Sequence, residues 1–423
     1  MRLGPLRQRD FGLLWWAGLI SLTGNWVLSV ALPIYVLQLT RSPAAVSLIV
    51  AAGLAGNLLF GAFAGAYVDR WDRRRILVVI NGLQALLLAP LLLVSSADRV
   101  WIVVVVAFGE QALEQFSKPA ENALLPRLVR GDDLAAANAL NVLNNIVARL
   151  VGPALGGIAA VTVGLHGAAA LDAASFALAA TLCALIGGRH RASRADERHL
   201  GRELWEGLRY VGRNRYVLAV FLILAISSVG EGIMGTLFVF YVVDGLGAGG
   251  RELGWLMSAQ AVGGILGSLV AARVIARFRP TSLIMTSWVF FGLVDVVIFN
   301  YPRWDTTLWP VVALFVVVGI PVGIHVSAMW TLFQLETPDR LRGRAFNVIW
   351  MGASLAGIAG TAIAGPFGER IGLLNLLTIQ GAGCVVAGLL FRLVAGRGPA
   401  TLVAPEPPVV ASSGLRSGVA SEQ

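Results

Sequence analysis

Charge is scarce in this chain. Only 13% of its 423 residues are Asp, Glu, Lys or Arg, against about 25% in a soluble domain. Lysine is nearly absent: Lys118 is the single one, and every other basic residue is Arg. The two cysteines, Cys183 and Cys384, both lie inside apolar runs, which excludes a disulfide framework and a zinc spacing. The four histidines are scattered and form neither a metal cluster nor a catalytic triad. No Gly-x-x-x-x-Gly-Lys-Ser/Thr loop is there to cradle nucleotide phosphates, so direct ATP-driven work is disfavoured. What is abundant is apolar: 57% of the residues, with a mean hydropathy of +0.75. A soluble fold of this length has too little interior for that many apolar side chains, and disorder of the body is excluded by the same numbers.

The apolar residues fall into twelve runs: Phe11–Leu39, Ala44–Val68, Ile76–Val94, Val100–Phe116, Leu134–Val163, Ala168–Ile186, Tyr216–Val243, Leu253–Ala276, Leu283–Phe299, Leu308–Leu332, Ala345–Phe367 and Leu373–Val394. A spanning helix needs roughly 20 apolar residues. Barrel strands would alternate apolar and polar positions, whereas these runs are continuous, as in Val103–Val106. The first run is long and followed by another span, so it reads as a helix that stays and not as a removable signal. The fold expected is all-α, with twelve transmembrane helices.

Arginine sets the orientation. Junctions after odd-numbered runs hold Arg41, Arg99, Arg251, Arg303 and Arg370, whereas the even junctions and both termini hold 27 basic residues. By the positive-inside rule both termini are cytoplasmic, in an inner (plasma) membrane. The net charge of +9 is thereby a topology signal and not a nucleic-acid footprint. The longest junction, Gly187–Arg215, carries eight Arg. Leu204, Leu208 and Val211 in it stand at helical spacing, the pattern of an amphipathic helix on a surface of anionic lipid. The organisation expected is a six-helix bundle over 1–188, a cytoplasmic linker over 189–215, a second six-helix bundle over 216–396, and a disordered cytoplasmic tail over 397–423, rich in Pro, Ala, Ser and Val.

The halves repeat. An offset of 206 pairs Ile20–Asn25 with Ile226–Glu231, Tyr35 with Tyr241, Gly61 with Gly267 and Arg73 with Arg279, without a gap. Two parallel repeats around an axis normal to the membrane, with a site between them, form a transporter architecture.

Three stretches carry a resemblance. The segment Gly61–Arg75, with Gly61, Gly65, Asp69, Arg70, Arg73 and Arg74, resembles the cytoplasmic signature between spans two and three of the major facilitator superfamily, with Asp72 in place of the usual Gly. Small residues there let helices approach closely, and Asp69 suits a helix N-terminus on the other half. The second-half counterpart has Ile275 and Ala276 where the Asp and Arg would be. Gly152-Pro153-Ala-Leu-Gly156-Gly157 resembles the helix-kink signature of the drug:proton antiporter branch. Gly24–Trp26, Ala31–Pro33, Asp172–Phe176, Leu125–Val129 and Pro338–Arg344 are similar to the group that contains enterobactin exporters and macrolide-efflux proteins. Two features depart from it: Asn25 stands where related sequences carry Asp, and span four holds Glu110 and Glu114 in place of an Arg.

The resemblance implies the major facilitator fold, two pseudo-symmetric six-helix bundles, and proton-coupled export of a small hydrophobic or amphiphilic compound by alternating access. It implies no enzyme activity and no cofactor. Partners expected are the substrate, protons and anionic lipids, not nucleic acid, and the chain is expected as a monomer. Ionisable residues inside spans face a cavity or each other. Asn25, Glu110, Glu114, Arg149 and Glu231 are the residues expected to line the cavity or carry the proton. Glu110 and Arg149 stand at similar depth and are expected to pair; Glu231, with no cation in its own helix, is the first candidate to carry the proton and Glu110 the second. Asp172, Asp295 and His325 are secondary candidates. The inner gate is expected to close by Asp69 meeting the start of span eleven, or Arg342 and Arg344. Other readings of the sequence are a lysophospholipid transporter, a membrane sensor that moves nothing, and a polytopic enzyme, which would need a catalytic cluster that the sequence lacks.

Overall fold

The computed structural model describes residues 4–68, 70–188 and 200–396. Among them are thirteen α-helices: α1 (Arg9–Thr40), α2 (Pro43–Val68), α3 (Arg73–Leu87), α4 (Val100–Leu128), α5 (Leu134–Thr162), α6 (Gly164–Ala184), α7 (Leu200–Arg213), α8 (Arg215–Phe240), α9 (Gly250–Val274), α10 (Pro280–Asn300), α11 (Leu308–Glu336), α12 (Asp339–Ile371) and α13 (Leu373–Ala395). Twelve helical segments are long and apolar enough to span a bilayer; α7 is the amphipathic exception. Residues 189–199 of the linker and the 397–423 tail lie outside the described residues.

Local chemistry sets the helix ends. Asp72 caps α3 by accepting the Arg75 N–H at 3.1 Å, and Asn214 caps α8 by accepting from Tyr216 and Val217. Pro43 and Pro280 occupy the first helical position, where no N–H is needed. Two segments differ from the apolar runs. The third run breaks after Leu87 into a 3₁₀ segment, Ala89–Leu93, because Pro90 has no N–H to continue the ladder. The fourth continues to Leu128, twelve residues beyond the apolar run, through Lys118 and Glu121.

Each half is an open arc. In the first, α1 packs on α5 and α6, α2 on α4, and α3 on α4 and α6. This gives the order α5–α1–α6–α3–α4–α2. The second half repeats it as α12–α8–α13–α10–α11–α9. The rims meet crosswise, α2 on α12 and α5 on α9, so both arcs open onto one shared interior. Repeat-related residues occupy equivalent places. Tyr35 donates to the Val94 carbonyl at 2.9 Å beyond α3, and Tyr241 to the Ile298 carbonyl at 2.8 Å near the end of α10. Gly61 faces Gln115 of α4, while Gly267 lies directly on the Ile320 backbone of α11. At Gly56 α2 lies close to α4: a Cβ there would stand 2.6 Å from the Phe108 oxygen.

Helix α7 lies against the start of α12. Gly207 leaves no room for a side chain above the Arg344 backbone, and Tyr210 donates to the Glu336 carbonyl at 2.5 Å. Arg344 pairs with both Glu203 and Glu206. Leu204 and Val211 turn toward the bundle, but Leu208 is exposed beside Trp205, so it does not share their face as the spacing had implied. Partly exposed pairs contribute about 0–1 kcal/mol each. Arg344→Gln is therefore expected to leave the spanning bundle intact but to speed tryptic cleavage at Arg209 and Arg213. Unchanged cleavage would mean that Gly207 and Tyr210 hold α7 alone.

Candidate functional site

The shared interior is closed at the arginine-poor end by a seam of close contacts, many of them made by glycine. Gly157 of α5 lies on the Gly250 carbonyl of α9, and Gly254 on that of Pro153. Ser258 donates to the Leu150 carbonyl at 2.7 Å. On the other rim, Gly365 meets Ser47, and a Cβ on Gly357 would stand 3.0 Å from Leu54. Arg41 and Asp244 face each other at 3.9 Å where the helices emerge. The Gly152-Pro153-x-x-Gly156-Gly157 motif thus wedges α5 between two neighbours. Gly152 and Gly156 admit Trp26 and Val27 of α1, and Pro153 and Gly157 admit α9. Helix α5 runs unbroken through Pro153.

Below the seam the two walls differ. The first-half wall is polar. Lys118 reaches across the arc to Asn145 of α5 at 2.9 Å, with Glu114 and Glu121 one turn to either side on α4 and in its field. Asn144 donates to the Trp15 carbonyl at 2.8 Å, and Gly18 makes room for Asn144 and Glu121. Deeper, Gln84 donates to Glu110 at 3.0 Å. The charges around Glu110 are those of Asp172 and Glu114. The second-half wall is aromatic. Phe346 lies between Trp330 and Trp350, with ring centroids at 5.4 and 5.9 Å, beside Phe333 and over Val220 and Leu224. Only the inside of the arc is common to α8, α11 and α12.

Arg149 and Glu231 face each other electrostatically across the halves. Both are exposed. Arg149 lines a cleft of about 290 Å³ with Gln260 and Ser268 of α9.

The transmembrane secretion effector family matches residues 1–402. The chain belongs to that family. Its members are major facilitator transporters, not enzymes, and the secretion-effector chain described here is a twelve-span membrane transporter. It is 29% identical over 375 residues to the multidrug efflux pump Tap of Mycobacterium tuberculosis (strain ATCC 25618 / H37Rv), covering 85% of this chain and 87% of that one. It is 26% identical to the enterobactin exporter EntS of Citrobacter koseri, covering 90% of each. Among solved structures, a bacterial homologue of the iron transporter ferroportin, in its inward-facing state, superposes with a TM-score of 0.74 at 15% identity, over 94% of this chain and all of that one. The nucleoside transporter NupG superposes at 0.75 and 13% identity, over 92% and 99%.

Within this secretion-effector fold several expected contacts change. Glu110 does not pair with Arg149: Gln84 holds Glu110, and Glu231 is the carboxylate that Arg149 faces. Glu231 thus lies in the field of an arginine from the other half, which helical spacing cannot reveal, although the two do not form an ion pair. Asn25, its repeat mate, is half-buried on α1. Asp172 is fully buried against Gly24 and accepts from Ser175 of its own helix at 3.1 Å. Asp295 is buried and accepts from Gln380 at 3.3 Å; His325 is buried with its ring stacked on Trp288 at 4.0 Å. Both are internal to the second half. In the gate segment, Gly61 and Gly65 lie on α2, Arg70 is exposed, and Asp69 lies outside the described residues. Arg73 is buried, and Arg74 donates to the Cys183 and Ala184 carbonyls at the end of α6. Arg342 bonds to the Gln334 and Thr337 carbonyls and pairs with Asp339. Arg342 and Arg344 are thus committed within the second half and its linker. Sequence reasoning missed Lys118 and Glu121 because the apolar run ended before them. The spacing 114, 118, 121 on one continuing helix was the available signal.

Proposed function

We propose that the protein exports small amphiphilic compounds, driven by proton entry, by alternating access across the cytoplasmic membrane with its arginine-rich face inside. The observation that supports this reading is the seam between the halves at the arginine-poor end, with ionisable groups gathered in the first half below it and aromatic rings in the second. A ligand with a ring system and a polar edge satisfies both walls. The names of the relatives, a multidrug efflux pump and an enterobactin exporter, support export as the direction.

Roles follow from position. Lys118, Glu121 and Asn145 engage the polar edge, and Trp330, Phe346 and Trp350 engage the rings. Glu110, with Glu114 one turn away, takes up and gives back the proton. The Arg149–Glu231 pair links the halves in the state closed at the arginine-poor end. Asp69 and Arg70 serve the opposite gate.

Inverted vesicles test this. With an imposed pH gradient they should accumulate members of a panel of aromatic dyes, macrolides and catecholates, and nigericin should stop it. Absence of gradient-dependent uptake across the panel overturns the reading. The pair has its own test. Glu231→Arg alone and Arg149→Glu alone are each expected to reduce transport by about tenfold, the effect of roughly 1.4 kcal/mol of lost coupling. The double exchange should recover most of it. A double variant no better than either single one removes the pair from the mechanism.

A further inference from the structure

The three arginines that open α3 point three ways. Arg73 is buried, and Arg74 turns to the end of α6. Arg75 is exposed, and among the described residues its guanidinium has no carboxylate within ion-pair distance. It stands at the mouth of a groove of about 510 Å³ between α3 and α4, rimmed by Trp71 and walled by Val79, Leu83, Leu113 and Phe116. Apart from Arg75 the lining offers no charge. Arg75, Val79 and Leu83 are four residues apart and form one ridge of α3, so the groove runs about 12 Å down the helix from the cation. Helix α3 lies between α4 and α6, away from the rims where the halves meet, so the groove opens outward and not into the cavity.

We propose that one anionic phospholipid occupies this groove as a bound lipid, its phosphate on the Arg75 guanidinium and its acyl chain along Val79 and Leu83. A cation, a rim indole and an apolar trough in that order reproduce the polarity of a lipid from headgroup to tail. The N-terminal end of α3 adds favourable potential for the phosphate. A zwitterionic lipid brings its own cation to the same place and gains less; a cationic amphiphile is repelled by Arg75. The proposal rests on the membrane placement and not on the substrate or direction of transport, so it stands or falls separately from export.

The test uses the purified full chain in nanodiscs with acyl-brominated phosphatidylglycerol or acyl-brominated phosphatidylcholine. Quenching of Trp71 is isolated by subtracting the Trp71→Phe protein. Trp71 should be half-quenched at a phosphatidylglycerol fraction about fivefold below that for phosphatidylcholine, the effect of a single basic residue near anionic lipid. Arg75→Gln should abolish that preference while both lipids still quench, and Arg75→Lys should keep it. Equal quenching by the two lipids in the unaltered protein means ordinary annular lipid and overturns the proposal. A preference that survives Arg75→Gln overturns it too. Displacement of the brominated lipid by a transported compound assigns the groove to substrate, which is equally fatal to it.

Discussion

Glu110→Gln is expected to uncouple transport from the proton gradient. Glu110 is buried in the first half, on the side-chain amide of Gln84. The lysine of α4 lies two turns further along, between Glu114 and Glu121. A charged carboxylate at that depth costs roughly 2.5–3.5 kcal/mol on insertion scales. Its protonation state is therefore tied to whether the cavity wets it, which is what a coupling group requires. Glutamine preserves size and one hydrogen bond to Gln84 but cannot titrate. Gradient-driven accumulation in inverted vesicles should fall on the order of tenfold to a hundredfold. Counterflow exchange, which needs no net proton movement, should survive. Normal accumulation with normal pH dependence in Glu110→Gln would exclude Glu110 and turn attention to Glu114 and Asp172.

Gly157→Val should arrest the cycle in a different way. The side chain would enter the Gly250 carbonyl across the seam, so it obstructs only the state in which the arginine-poor end is shut. Overpacking costs typically about 1–3 kcal/mol, enough to shift a two-state population by roughly 5- to 150-fold. Cysteine accessibility at the arginine-poor end should rise and transport should fall, while expression and thermal stability stay close to normal. Gly267→Val is the control. Its side chain would enter the Ile320 backbone within one half, with Gly263 on the Val316 carbonyl one turn away, so every conformation suffers and the protein itself should be lost. If both variants destabilise the protein equally, the seam is part of the permanent core and not a contact that opens.

The twelve spans were legible because each is a continuous apolar stretch, and the 206-residue offset exposed the two halves before any helix was placed. The site was legible only in part. Glu110, Arg149 and Glu231 announced themselves as ionisable residues among apolar ones. Their partners depended on the order of helices around each arc, which the apolar pattern does not encode. Arg149 and Glu110 share a depth but not a side of the arc. Lys118 and Glu121 were hidden because they lie beyond the apolar run, on a polar helix face that lacks the hydropathy by which spans are found. The aromatic wall was hidden for the opposite reason: Trp330, Phe346 and Trp350 look like lipid-facing residues until α8, α11 and α12 are brought around one interior.

The seam and the walls draw on different chemistry, and that separates what can be changed by mutation. Between α5 and α9 the seam runs largely from glycine to backbone carbonyl, so that rim contains few side chains whose replacement could alter what the protein binds. The walls are side chains throughout, and none of the groups proposed to recognise a ligand lies on the seam. Substitutions at Trp330, Phe346, Trp350 or Lys118 are therefore expected to alter selectivity, if the proposed walls bind the cargo, without touching the seam. On the proposed reading, a lineage built this way would diversify its cargo one wall residue at a time, while side chains added at the seam glycines would obstruct closure.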